Sequence, residues 1–117
     1  MTSGPDEKPP LLERRPKPRK RVLLTGIITY AGGNYSSECT IRDLSETGAR
    51  LGAPMHTQIP SDFYLINIRD RVAYHAKVVW RNANNIGVTF KNIYPLSEVV
   101  DPSLSYLKRL WTAKATR

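Results

Sequence analysis

The sequence has few of the residues from which catalytic, metal-binding and cross-linked sites are built. Cys39 is its one cysteine in 117 residues, which excludes an internal disulfide and a zinc site made of cysteines. Its two histidines, His56 and His75, are far apart in the sequence, and neither lies in a motif typical of a metal site or a nucleophilic triad. The glycine patterns that bind the phosphates of ATP or NAD are also missing. We therefore predict a protein that is not an enzyme and carries no metal or cofactor.

Long apolar segments are missing as well. No stretch approaches the roughly 20 apolar residues that cross a bilayer, so we predict no membrane insertion. The N-terminus is polar and proline-rich and lacks the apolar middle of a secretory signal, which predicts a cytoplasmic protein. A hydrophobic content of 40% in 117 residues suits one domain with one modest core.

The positive charge is concentrated in one segment. The formal net charge is +8, and six basic residues fall within positions 14–21: Arg14, Arg15, Lys17, Arg19, Lys20 and Arg21. Such a cluster predicts an anionic partner, whether a nucleotide, a nucleic acid, or an acidic membrane or protein surface; a solvated basic arm is the alternative. Because Pro16 and Pro18 exclude an ordinary helix, we expect an extended basic arm at 13–21 after a flexible tail at 1–12.

From Val22 onward the pattern predicts short strands with tight turns and one terminal helix. The predicted strands cover 22–30, 36–43, 49–53, 63–68, 72–81 and 86–90. The first predicted strand is apolar on both faces. In the fifth strand, Tyr74 and Trp80 share the face that we expect in the core, whereas we expect His75 on the surface. Asp101 and Pro102 are a typical helix start, and an apolar stripe follows to about residue 115, which we expect to cover one side of the sheet. This order favours an all-β barrel or sandwich, and a barrel leaves fewer exposed edges.

Two polar segments contain residues suited to holding a guanine nucleotide. Arg15 and Arg19 are separated by roughly 13 Å in an extended chain, and arginine binds phosphate, the O6/N7 edge of guanine and the face of a base. In the segment 43–48 (DLSETG), Asp43 can accept hydrogen bonds from guanine, Ser45 can bond a base or phosphate, and Gly48 permits a positive φ or a close approach to the backbone. A simple turn between two strands also explains that segment, although it does not explain the basic run before the first strand.

Together, RxxxR before the first strand and DxSxxG after the second resemble the cyclic di-GMP signature of the PilZ domain family. Both parts match without substitution, the segments 78–81 (VVWR) and 86–90 (IGVTF) are similar too, and the resemblance covers about residues 13–91. It implies a small six-stranded antiparallel PilZ-type β-barrel at 13–117, with a C-terminal helix at about 102–115. It also implies a bacterial cyclic di-GMP receptor that changes conformation and regulates an unidentified partner in motility, exopolysaccharide or cell-cycle output.

The resemblance also implies which residues contact the ligand. Arg15 and Arg19 would bind guanine edges and phosphates, and Asp43, Ser45 and Gly48 would form the part of the site on the barrel. Arg14 would assist, since some PilZ domains bind an intercalated ligand pair with an extra basic residue there. Two alternatives stay open: a basic β-barrel that binds nucleic acid, disfavoured because no stacking array of aromatic residues is evident, and a ligand-independent interaction module.

Overall fold

Six antiparallel strands close into a barrel in the computed structural model, which describes residues 20–52 and 58–115. The strands are β1 (Lys20–Tyr30), β2 (Tyr35–Leu44), β3 (Gly48–Gly52), β4 (Asp62–Asn67), β5 (Val72–Arg81) and β6 (Asn85–Pro95). Around the barrel their order is β1-β2-β3-β6-β5-β4. The predicted all-β class and the six-stranded antiparallel barrel are confirmed.

Nearly every second residue of each strand points its side chain into the barrel, and these side chains fill the interior. Tyr74 stacks on Phe90 inside it, with ring centroids 3.9 Å apart. The largest fully buried side chains of this core are Ile28, Ile41, Leu51, Leu65 and Ile86. Removing such side chains from water supplies the main driving force for closing the sheet.

A second apolar cluster lies outside the barrel, beneath helix α1 (Ser105–Ala115). Ile27 packs there, while its neighbour Ile28 packs in the barrel, so β1 is buried on both faces as predicted, but only in its second half, since Leu23 in the first half is 79% exposed. Leu107 of α1 is fully buried in the same cluster, and Trp111 Nε1 donates to the Ile68 carbonyl at 2.9 Å. The helix therefore covers one side of the barrel, as its apolar stripe predicts.

The helix begins where the sequence indicates. Asp101 Oδ1 accepts a hydrogen bond from the Ser103 backbone N–H at 2.9 Å and so caps a 3-10 turn, Pro102–Leu104, that leads directly into α1. This bond lowers the pKa of the Asp101 carboxyl, because it stabilises the ionised form. No helix in the described ranges is long and apolar enough to span a bilayer.

Three details of the strand pattern differ from the prediction. β6 extends to Pro95 rather than ending at Phe90, because β5 pairs with it along its whole length and its polar residues project outward. Trp80 is not in the core: the register shifts between Val78 and Trp80, so the indole lies on the outside with 38% of the residue exposed. His75 is at the surface as predicted but only partly solvated, since 26% of its side chain is exposed and it stacks on Tyr64 with ring centroids 5.2 Å apart.

Candidate functional site

The segment 43–48 forms a tight turn that Ser45 organises. The backbone N–H groups of Thr47 and Gly48 each donate to Ser45 Oγ at 3.1 Å, and Ser45 N donates to the Gly48 carbonyl at 2.9 Å. Thr47 then joins this turn to β6, because its carbonyl accepts from Phe90 N at 2.9 Å. The interpretation of this motif as a turn between two strands is thus correct, and it fixes where the motif backbone lies.

Gly48 is a glycine for a structural reason. It is buried, and the described glycines with positive φ are Gly32 and Gly33, so the prediction of a positive φ at Gly48 does not apply. A Cβ atom added at Gly48 would lie 2.3 Å from the Val88 carbonyl oxygen of β6. The close approach at this position is therefore made by the backbone of the neighbouring strand.

Asp43 is held on the outer surface by an arginine of the next strand. Asp43 and Arg50 are register partners of β2 and β3, and Arg50 Nε donates to Asp43 Oδ2 at 2.5 Å. Both side chains are half-buried, with 16% of the aspartate and 26% of the arginine side chain exposed. The pair fixes both planar groups in orientation and leaves part of each accessible to a ligand.

The same register row continues across the barrel to Trp80. Arg50 of β3 pairs with Gly87 of β6, and Gly87 pairs with Trp80 of β5. A Cβ atom at Gly87 would lie 2.0 Å from Trp80 Nε1 and 2.1 Å from Cε2, so the indole lies directly over this glycine. We call Asp43, Arg50, Gly87 and Trp80 the outer row.

A further arginine lies beside the outer row. The register of β2 shifts between Ile41 and Asp43, and Arg42 at this shift is exposed, with its guanidinium against Gly52 of β3. A Cβ atom at Gly52 would be 2.6 Å from Arg42 Nε. Next to the outer row, this second guanidinium adds positive charge to the outer surface of the sheet. Such a surface suits a planar, anionic ligand, which would gain both stacking and charge-assisted hydrogen bonds.

The predicted site residues fall into two groups. Asp43, Ser45 and Gly48 lie together at the turn between β2 and β3. The tail and most of the arm lie outside the described ranges, and with them Arg14, Arg15 and Arg19. One of the two histidines, His56, also lies outside these ranges. The arm prediction is wrong at its last two residues, since Lys20 and Arg21 belong to β1, where Arg21 is the register partner of Asp43.

Four residues of this surface were not among the predicted site residues: Arg42, Arg50, Gly87 and Trp80. Arg50 and Arg42 carried no signal of their own, because their positions beside Asp43 depend on strand register. A signal for Trp80 did exist in Gly87, a glycine inside an apolar strand, which can indicate a close approach.

Other chemistry-bearing residues are isolated. Burial raises the pKa of the Cys39 thiol to about 12, with the nearby Glu38 carboxylate as a smaller cause, so Cys39 is not a ready nucleophile. Within residues 20–52 and 58–115, no three His, Cys, Asp or Glu side chains are grouped to hold a metal ion. The outer row and its neighbours are therefore the best candidate site in this part of the chain.

The chain matches a family of known proteins. The sequence model of the PilZ domain family matches residues 13–99. The matched range contains all six strands, the segment 43–48 and the basic segment before β1. No curated protein sequence matches the chain.

Proposed function

Because the chain belongs to the PilZ domain family, whose members as a family are cyclic di-GMP receptors, we propose that it binds cyclic di-GMP across the outer row. The observation that carries this proposal is the continuity of the row. It runs from Asp43 of the motif through Arg50 to Trp80, on one surface of four neighbouring strands. A dinucleotide with two guanines and two phosphates needs such an extended surface of mixed stacking and charged groups.

The covalent path of the chain supports a role for the basic arm. Arg21 is the register partner of Asp43, and Arg19 is only two residues earlier, a distance of about 7 Å at most. Arg15 lies a further 13 Å or so along an extended chain. In the proposed complex, Arg19 reaches the ligand above Asp43, and Arg15 reaches its second half; Arg14 is the candidate contact for a second ligand molecule.

The groups of the barrel have complementary roles in this proposal. Asp43 accepts from the N–H donors of one guanine, and Arg50 keeps its carboxylate oriented through the 2.5 Å bond. Trp80 offers the exposed part of its indole to the other base, a contact of the kind worth about 1–3 kcal/mol. Ser45 and Gly48 contribute by holding the turn that presents Asp43.

Signalling would follow from placing the arm on the ligand. Fixing the backbone of the arm there costs up to about 1–2 kcal/mol per residue, which the arginine contacts with the ligand must exceed. We propose that the ordered arm and the bound ligand together form a new surface that regulates a partner protein in the cytoplasm. The chain performs no chemistry on its ligand in this proposal.

Calorimetric titration with cyclic di-GMP tests the proposal. The wild-type protein should bind it, and Arg15→Ala and Arg19→Ala should each lose on the order of 2 kcal/mol, about thirtyfold in affinity. Lys108→Ala is the matched control, since Lys108 is an exposed cation on α1 outside the site, and it should bind like the wild type. GTP should not compete.

Other outcomes would point to the two remaining functions. No heat from a folded protein, combined with tight binding of long RNA or DNA that weakens steeply with salt, would replace the receptor with a nucleic-acid-binding protein. Indifference to both ligands would replace it with an interaction module.

A further inference from the structure

A groove at one mouth of the barrel is not used by the proposed ligand site. A cavity of about 460 Å³ lies beside the turn of Ser45 and Glu46, and a second of about 340 Å³ lies beside the chain that leads into α1. Ile93, which is 48% exposed, lines both cavities and so lies between them. We call the two cavities together the mouth groove; its apolar lining includes Leu44, Val72, Tyr74, Ile93, Val99 and Val100.

The mouth groove is acidic in a basic protein. Four carboxylates line it, although the chain has only ten acidic residues and a net charge of +8: Glu46, Asp70, Glu98 and Asp101. Among the described residues, Lys20 is the one cation that lines these two cavities, and Arg69 beside them pairs with Asp70 at 2.8 Å. Apolar walls with an excess of negative charge fit a segment that has apolar side chains next to arginines or lysines.

A segment with this chemistry lies immediately before β1, outside the described ranges. Its sequence at 9–15 is PPLLERR, so Leu11 and Leu12 are followed by Glu13 and then by Arg14 and Arg15. Lys20, which begins β1, itself lines the mouth groove. The eight residues from Lys20 back to Leu12 span up to about 26 Å when extended, far more than the width of a cavity of this volume.

We propose that Leu11 and Leu12 dock in the mouth groove of the same molecule when no ligand is bound, with Arg14 and Arg15 at its acidic rim. This contact buries the exposed side chain of Ile93 and pairs the rim with opposite charge. Pro9 and Pro10 favour the extended backbone that such a groove accepts.

Ligand binding would release this contact, a step that rests on the proposed function. The outer row is on the outer surface of the sheet, whereas the mouth groove opens beside the core residue Tyr74. Drawing Arg15 towards Trp80 moves Leu12 away from Ile93. The emptied groove then becomes available to a partner only in the ligand-bound state.

Disulfide trapping tests the docking. In a Cys39→Ala background, Leu12→Cys with Ile93→Cys should oxidise within one chain at least about tenfold faster than a control pair. The control is Leu12→Cys with Ala113→Cys, which places the second thiol on the exposed surface of α1. Saturating cyclic di-GMP should slow the first pair at least about fivefold. As a measurement without cysteines, Leu11→Ser with Leu12→Ser should shift the Ile93 methyl resonance of the ligand-free protein.

The outcomes separate this proposal from the proposed function, because ligand binding is measured by calorimetry on the same variants. Equal rates for the two pairs and an unmoved Ile93 methyl would overturn the docking even if the ligand binds. A disulfide found only between two molecules would make a second copy the occupant and would equally overturn it. Docking with no ligand binding would uphold the contact and reject the receptor, and ligand binding that leaves the rate unchanged would overturn the release.

Discussion

Replacing Gly48 with alanine should destabilise the barrel itself, independently of any ligand. The added Cβ atom would lie 2.3 Å from the Val88 carbonyl oxygen, well inside van der Waals contact, and neither atom belongs to a side chain that can rotate away. β3 and β6 must therefore separate locally. The bonds at risk are those from Phe90 N at 2.9 Å and Thr89 Oγ1 at 3.1 Å to the Thr47 carbonyl.

The expected magnitude follows from these bonds. Each contributes about 1 kcal/mol net, and backbone strain adds to their loss. Alanine recovers some 0.4–1 kcal/mol by restricting the unfolded chain. We expect the free energy of unfolding to fall by about 2 kcal/mol in total.

Gly52→Ala is a matched control on the same strand and the same face. Its Cβ atom would be 2.6 Å from Arg42 Nε, at the far end of an exposed and flexible side chain that can rotate into solvent. This variant should therefore stay within about 0.5 kcal/mol of the wild type. Urea unfolding followed by far-UV circular dichroism measures both variants without ligand. Equal free energies for the two would refute the argument that the backbone of β6 demands a glycine at 48.

Three further predictions concern other parts of the fold. Gly87→Ala should displace the indole of Trp80, shift one of the two indole N–H resonances and weaken cyclic di-GMP binding about tenfold; an unmoved resonance would show that the indole does not lie on this glycine. Asp101→Ala should lower the free energy of unfolding, because the Ser103 N–H loses its capping acceptor, and an unchanged free energy would contradict the cap. Stability should fall as pH rises from 9 towards 12, since the thiol of Cys39 ionises near its ordinary pKa of 9.0 when unfolded but near about 12 when folded; Cys39→Ala should flatten this part of the urea-derived profile, and an unchanged slope would contradict burial as its cause.

Patterns that depend on local sequence predicted the fold well. Apolar alternation located all six strands, and Asp101 with Pro102 marked the start of the helical segment, because capping and side-chain periodicity act within a few residues. The same local rules identified the turn at Ser45. They also predicted that β1 is buried on both faces, although they did not say which element covers the second face.

Features set by strand register were not predictable in the same way. A register shift reverses the side of every later residue, so alternation alone placed Trp80 in the core when it lies outside. The extension of β6 through Lys91 and Asn92 depends on the length of its partner β5 rather than on its own composition. For the same reason, the pair of Asp43 and Arg50 required the register of β2 and β3.

The most direct test of the central claim is a titration with cyclic di-GMP followed by amide and indole N–H resonances. The account predicts saturable shifts at Asp43, Arg50, Gly87 and the indole of Trp80. The indole of Trp111, which is held by the Ile68 carbonyl under α1, is an internal control and should stay in place. Saturable shifts confined to α1, or no shifts from a folded protein, would contradict the outer row as the binding site.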